Sequence, residues 1–376
     1  MMIGIIFLIA IVYILLILSL IFGFWIETTL KNKHLEAKTN FSVIIPFRDE
    51  TLRLPMLLAS IKELQYPSAN VSFWFVDDAS EDDSCQIIET FCKENSSVNI
   101  KILENKRVSN SPKKDAILTA ITQIKSDWIV TTDADCILPT HWLQLYNQEI
   151  ILKQHKMIAA PVTYKEDASF FNYFQLLDFL SLQGTTIGSF GLQLPFMCNG
   201  ANLAYQKSAF LEVQGFTGND TIASGDDVFL LEKFVQKWPK KVCYLKSKKA
   251  LVTTFSVATF RDLVSQRVRW ASKSANYNLP TGKLIGISVI LMNLACCMFP
   301  FLLLFTTISW QLMLLLFYLK IIVDGILLFQ TIQFTEQKFR FLYFILSAIL
   351  YPFFTIFILF QSLFKNYTWK NRKFKM

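Results

Sequence analysis

The sequence predicts an α/β fold: a mostly parallel sheet flanked by helices, with transmembrane helices at its N- and C-terminal ends. Three observations carry that expectation. Between residues 38 and 255, short β-rich runs alternate with helical stretches, the pattern of strands joined by helical crossovers. Those runs are apolar almost throughout, as strands covered on both faces are. The ends of the chain hold apolar runs long enough to span a bilayer at about 20 residues per crossing.

Taken in order, residues 1–30 read as a membrane anchor, because 3–26 contain no charge. A cleaved signal peptide would want a basic start, a shorter apolar stretch and an Ala-x-Ala-like exit, and none is present. A domain over 38–255 follows. Its first strand is 41–46, by a β-branched run and a Pro stop. Next come a helix over 54–64, a strand over 71–76, a helix over 83–93, a strand over 99–103, a helix over 115–124 and a central strand over 128–132. Residues 170–198 are aromatic-rich but interrupted by Gly184, Gly188 and Gly191, so they read as an interfacial helix followed by a loop. Residues 256–282 form an amphipathic interfacial helix. Residues 283–376 hold about three spans, near 285–305, 309–331 and 341–363, and a basic tail. Lys320 and Asp324 stand four apart inside the second of these, so they share a helix face and can neutralise each other.

Hydrophobic residues make up 53% of the 376 and charged ones 18%, against roughly 25% charged in a soluble domain. Much of the net charge of +8 flanks the apolar runs: Lys31 and Lys33, Arg261 to Lys273, and Lys365 to Lys375. Such clusters point to anionic lipid and to topology before they point to nucleic acid. Basic residues at 31 and 33 place the middle domain in the cytoplasm, and three later spans would carry the basic tail outside. Either one run is a hairpin or lies in the interface, with Pro300 and Pro352 as break points, or the tail is exported despite its charge. The seven Cys are odd in number and lack Cys-x-x-Cys spacing, which suits a reduced compartment. His34, His141 and His155 have no ligand-spaced partner. No phosphate-binding P-loop, dinucleotide Gly-x-Gly-x-x-Gly or His-Glu-x-x-His is present.

Chemistry concentrates where apolar segments end. Ligands of parallel sheets bind beyond the carboxyl ends of the strands, which is where Arg48-Asp49-Glu50, Asp77-Asp78 and Asp133-Ala-Asp135 fall. Two alternating carboxylates can turn toward one hard cation, and Mg²⁺ or Mn²⁺ held this way keeps waters and binds a diphosphate. Roughly one Asp-x-Asp is expected by chance in a chain this long, so its position after a buried strand gives it weight. Asp77 or Asp78 can accept from a base N–H or a ribose hydroxyl, while Ser80, Asp82 or Asp83 suits the cap of the next helix. Gly225-Asp226-Asp227 precedes an apolar helix. Acids favour helix N-termini for dipole reasons alone; alternatively one of the two is a general base whose pKa burial could raise. Gln266, Arg269 and Trp270 stand at i, i+3 and i+4 and share a helix face. The other side (Phe260, Leu263, Val264, Val268, Ala271) is apolar, and Arg261, Arg267 and Lys273 suit adhesion to a membrane. Arg269 beside Trp270 suits more, because a guanidinium clamps a diphosphate and an indole stacks on a sugar.

The order VIIPFRDE (43–50), FVDDAS (75–80), TTDADC (131–136), CNGANLAY (198–205), SGDDVFLL (224–231) and QRVRW (266–270) resembles the membrane-bound family 2 glycosyltransferases. These are inverting enzymes of GT-A fold that include cellulose, chitin and hyaluronan synthases and ceramide glucosyltransferase-like proteins. The resemblance covers roughly residues 40–280. It implies a nucleotide-sugar donor, most often UDP-linked, a divalent metal (Mg²⁺ or Mn²⁺), membrane lipids and a lipid or glycan acceptor. Pro46 and Glu50 would border the nucleotide, Asp77 and Asp78 would hold base and ribose, and Lys113 matches a Lys found near the donor. Asp133 and Asp135 match the metal-binding pair, with Asp133 also toward the donor. Asp227 matches the catalytic base, with Asp226 beside it toward the acceptor. Gln266, Arg269 and Trp270 match the Gln-x-x-Arg-Trp that binds diphosphate and acceptor. Gly225-Asp226 replaces the Thr-Glu of the synthases, and Asp49 stands where many members have Asn. A processive polysaccharide synthase and an inactive nucleotide-sugar-binding scaffold are the competing expectations, and the short C-terminal membrane region speaks against a translocation channel.

Overall fold

The computed structural model describes residues 2–30, 35–219, 225–274, 277–305, 309–364, 367–369 and 372–374. Lys31, Lys33, His34, Ser224, Lys365, Lys370 and Lys375 lie outside the described residues. The chain opens with α1 (Met2–Ile26) and enters an α/β body through β1 (Phe41–Phe47), α2 (Leu54–Lys62), β2 (Val71–Asp77), α3 (Ser84–Glu94), β3 (Ile100–Glu104), α4 (Pro112–Ile121) and β4 (Trp128–Thr131). Next come α5 (Trp142–Lys153), β5 (Met157–Ala159), β6 (Val162–Tyr164), α6 (Phe170–Gly191), β7 (Leu203–Gln206) and α7 (Lys207–Glu212). The chain continues through α8 (Asp226–Lys237), β8 (Val242–Tyr244), β9 (Val252–Thr254), α9 (Phe260–Ser274), α10 (Pro280–Phe305), α11 (Trp310–Phe334) and α12 (Phe341–Phe364), and a short hairpin, β10 (Tyr367–Trp369) with β11 (Arg372–Phe374), follows.

Seven strands form one sheet in the order β3-β2-β1-β4-β7-β5-β8. Neighbours run parallel except at β7, which is antiparallel to both β4 and β5. A second, parallel pair joins β6 to β9. Alternation along β1 and β2 shows why both strands are apolar at nearly every position. Val43, Ile45, Phe73 and Phe75 enter one core, while Ile44, Trp74 and Val76 enter the core on the opposite face. Each fully buried side chain of this size contributes about 1.5–3 kcal/mol, so a one-residue slip of register would forfeit both cores. Helix starts and stops are local. Pro112 opens α4 in its first turn, Ser169 caps α6 by accepting from the Asn172 N–H at 3.1 Å, and α5 ends at left-handed Gln154.

Residues 170–198 are a helix followed by a loop, as expected, but the helix is packed in the interior and its glycines do not break it. α6 is one helix of 22 residues, mostly buried, and packs against α1, α11 and α12. The three glycines that read as interruptions are its contact points. A Cβ on Gly188 would lie 2.4 Å from the Leu20 carbonyl oxygen, one on Gly191 1.9 Å from that of Gly23, and one on Gly184 2.4 Å from Thr331 Oγ1. Small residues there let α1 and α6 meet backbone to backbone.

Four described helices are long and apolar enough to cross a membrane: Gly4–Ile26, Pro280–Phe299, Trp310–Phe334 and Phe341–Phe364. α10 runs on through position 300 and α12 through Pro352, so neither proline ends its helix. Lys320 and Asp324 do pair, at 2.6 Å, and Tyr13 of α1 donates to the same carboxylate at 2.6 Å. The apolar face of α9 rests on α12 through Val268 and Ile358, and Phe260 packs on Phe354 and Phe357. A histidine expectation also changes. His155 Nδ1 lies 3.2 Å from Glu149 Oε1 at the far edge of the sheet, where Lys153 and Cys243 crowd the same oxygen.

The α/β body is tied to α1 by Lys246, whose ammonium is buried against the Phe24 and Glu27 carbonyl oxygens at the helix C-terminus. Beside it, burial pushes the Glu27 carboxyl up to about 7, against the opposing pull of Lys246 and Lys153. A carboxyl raised this way favours the fold fully below its ordinary value of 4.5 and loses that contribution as pH rises to about 7. Thermal midpoints in detergent should therefore fall between pH 5 and pH 8 by an amount worth up to about 3 kcal/mol. Glu27→Gln should flatten that profile, and an unchanged slope in the variant would contradict it.

Candidate active site

A cavity of about 1110 Å³ opens at the carboxyl ends of β1, β2 and β4, and α9 runs across it. The loops after β1 and β2 are knitted together by a buried arginine. Arg48 donates to the Asp78 carbonyl at 2.8 Å, to that of Ala79 at 2.7 Å and to Glu81 at 2.9 Å. Asp49 is left-handed (φ 50°), a conformation that Asp and Asn tolerate best after Gly, and its carboxylate accepts from the Glu81 N–H. Pro46 and Glu50 face the cavity from this frame.

Of the adjacent acids after β2, the structure turns one inward. Asp78 lines the cavity and takes a 2.7 Å hydrogen bond from Asn105. Asp77 points away from the cavity and into its own loop, accepting from the Ser80 N–H and hydroxyl. Asp83 is the N-cap residue of α3 but its side chain makes no capping hydrogen bond; Asp82, one residue earlier, receives the Ser84 N–H at 3.0 Å, and Thr51 binds its other oxygen.

Asp133 and Asp135 stand on the wall beyond β4, opposite Asp226 and Asp227 at the start of α8. Lys113, from the first turn of α4, reaches between them, 2.6 Å from Asp133 and 3.4 Å from Asp226. Burial alone would lower its pKa, but Asp133, Asp226 and Asp227 raise it, so this ammonium stays charged. The acids divide by environment. Burial and the charge of Asp133 push the Asp135 carboxyl up. Asp226 is pushed up as well, by burial that Lys113 only partly offsets and by the charges of Asp227 and Asp133. Asp227 goes the other way. Burial opposes its charge, yet Lys273 and Lys113, with hydrogen bonds from the Val228 and Gly200 N–H groups, hold it below the ordinary carboxylate range. The expected upward shift thus falls on Asp226, not on Asp227.

Gly225 explains the departure before these acids. It caps α8 in the left-handed region (φ 83°), and a Cβ there would lie 2.8 Å from the Phe229 ring, so the threonine of the synthases would fit neither the space nor the angle. The acid pair at 133 and 135 suits a hard cation. Both are oxygen donors at one strand end facing a cavity large enough for a diphosphate, and burial beside a like charge raises Asp135 in the manner a cation would relieve.

Gln266, Arg269 and Trp270 all line the cavity from α9. Two neighbours read as membrane-adhesive are turned inward instead. Lys273 lies 3.7 Å from Asp227, and Arg267 is buried 2.5 Å from Asp178 of α6. The Arg267 guanidinium also covers the Trp270 ring, 4.2 Å from its centroid, and donates to the Gln266 side-chain oxygen. Arg267 and Asp178 therefore hold the groups that face the cavity. The sequence carried one signal for them: Asp178 is the lone acid in a long aromatic and apolar stretch, and such a group needs a buried partner.

The family described as Glycosyl transferase family 2 matches residues 42–213, and that described as Glycosyl transferase family group 2 matches residues 128–361, well over half of the chain. The undecaprenyl-phosphate 4-deoxy-4-formamido-L-arabinose transferase of Pseudomonas fluorescens (strain SBW25) is 28% identical over 149 residues, which cover 39% of this chain and 42% of that protein. The chain thus matches less than half the length of this relative. The mannosyltransferase PcManGT of Pyrobaculum calidifontis, solved with GDP-Man and Mn²⁺, superposes with a TM-score of 0.60 over 91% of this chain and 97% of its own, at 14% identity. At that identity the likeness speaks for the fold.

Proposed function

The chain belongs to glycosyl transferase family group 2, and on that footing we propose that it moves a sugar, with inversion, from a UDP-linked donor to a lipid or glycan acceptor at a membrane. It is a glycosyltransferase with a GT-A-type sheet. The observation that carries the finer reading is the split between two adjacent acids. Asp227 is held ionised by Lys273 and two backbone N–H groups at a cavity wall, while Asp226 beside it is pushed toward its neutral form.

In this reading Asp227 takes the proton of the acceptor hydroxyl. That oxygen bonds to the anomeric carbon as the bond from this carbon to the departing diphosphate breaks on the opposite face. Arg269 and Lys113 meet the charge that develops on the leaving group. A Mg²⁺ or Mn²⁺ ion held by Asp133 and Asp135 would supply further charge stabilisation there. Asp78 and the frame around Pro46 and Glu50 orient the nucleotide, and the Trp270 ring offers a face to the sugar. Residues 38–255 serve as the catalytic domain on the cytoplasmic side, residues 1–30 and 283–376 as its membrane anchors, and α9 (Phe260–Ser274), within 256–282, as the helix that closes the site. The relative named for undecaprenyl phosphate supports an acceptor carried in the membrane.

The test is nucleotide release by the purified chain in detergent across a panel of UDP- and GDP-sugars. Release from one UDP-sugar is expected, falling by about tenfold or more with EDTA and returning with Mn²⁺. Absence of release across both nucleotide classes would overturn the assignment.

A further inference from the structure

A second cavity, about 930 Å³, lies among α1, α6, α10, α11 and α12, the helices that include all four candidate spans. Its wall is mostly apolar, with Ile17, Leu177, Ile290 and Phe344 among the lining side chains. The charges in it are largely partnered: Asp178 by Arg267, and Lys320 by Asp324. A volume near 1,000 Å³ is that of a site for a whole small ligand. A sugar chain would need polar walls, because each buried hydroxyl without a partner costs free energy. An acyl or isoprenoid chain needs only this surface.

The two cavities abut. Leu182, Met197, Ala271, Lys273 and Tyr277 line both of them. Within this shared wall Lys273 lies 3.7 Å from Asp227, so the cavity among the helices ends beside the proposed base. We propose that the acceptor is a membrane lipid bearing a free hydroxyl, with its chain in the cavity among the helices and its alcohol reaching Asp227 past the side chains that line both cavities. The inference rests on the reading of Asp227 as the base. An alcohol gives Asp227 a proton to take as the new C–O bond forms and the diphosphate leaves. A lipid phosphate brings an oxyanion that is already deprotonated and would face the Asp227 carboxylate, which already pairs with Lys273. Lys283 also lines this cavity.

The test places the full chain in nanodiscs holding diacylglycerol and ceramide, undecaprenyl phosphate, or neither, with the labelled donor that supports nucleotide release. Label is expected in the organic phase with the lipid alcohols, in a product stable to mild acid. Gly286→Phe is the variant that probes the cavity, because Gly286 lines it and a Cβ there meets nothing within 4 Å. It should cut lipid labelling by at least about tenfold while UDP affinity stays within about twofold. Acid-labile label formed only with undecaprenyl phosphate, label only in water-soluble glycan, or full lipid labelling by Gly286→Phe would each overturn the lipid-alcohol proposal and leave the donor reading standing. Loss of UDP binding by the unaltered chain would sink both.

Discussion

Asp227→Asn is expected to lower sugar transfer by about 10²–10⁴-fold, the usual contribution of a positioned general base, with UDP affinity changed by no more than about twofold. The amide keeps the size of the carboxylate and can still accept from the Gly200 or Val228 N–H, so the start of α8 should hold. The proton acceptor is lost, with one of the two backbone hydrogen bonds and the charge that faces Lys273. Asp226→Asn is the paired control. Burial pushes the Asp226 carboxyl toward its neutral form, and a neutral amide imitates that form, so most of the transfer rate should survive. Steady-state kinetics and titration of UDP binding separate the cases. Equal losses in the two variants would remove the division of roles, and loss of UDP binding in Asp227→Asn would move Asp227 to the donor side.

Arg267→Met should be the most damaging change outside the direct cavity wall. It strands the Asp178 carboxylate, which lies 2.5 Å from the guanidinium and is buried with it. Removing one partner of a buried pair costs about 3–5 kcal/mol, whereas replacing both with apolar groups of similar volume is often neutral. The double variant Asp178→Leu with Arg267→Met should therefore recover most of the thermal midpoint. It should not recover kcat, because the Trp270 ring and the Gln266 side chain lose the group that positions them. Recovery of stability and kcat together would reduce the pair to a structural contact.

The sheet was legible because β1, β2 and β4 are runs of β-branched and aromatic residues that end at acids or proline. The acids stood out because each follows such a run. Less was legible beyond residue 132. Strands β5, β6, β8 and β9 have three residues each, too few to show a period, and α5 is buried around most of its circumference, which erases amphipathic contrast. Glycines on α6 read as breaks because sequence does not tell a flexible glycine from one that admits a second backbone. Asp77 and Asp78 were equivalent on paper, since the direction a strand end faces is set by its neighbours. Arg267 was hidden by its own helix: a basic residue near an apolar stripe reads as membrane contact until Asp178, 89 residues earlier, is found beside it. Those misses share a cause, in that the deciding partner is distant in sequence.

The most direct measurement is the position of UDP and Mn²⁺ in the full chain held in nanodiscs, determined by cryo-electron microscopy. The diphosphate is expected between the Asp133/Asp135 pair and Arg269, with the base toward Asp78 and the open end of the diphosphate facing Asp227. Nucleotide bound elsewhere, or bound here with Mn²⁺ away from Asp133 and Asp135, would contradict the assignment of this cavity as the donor site.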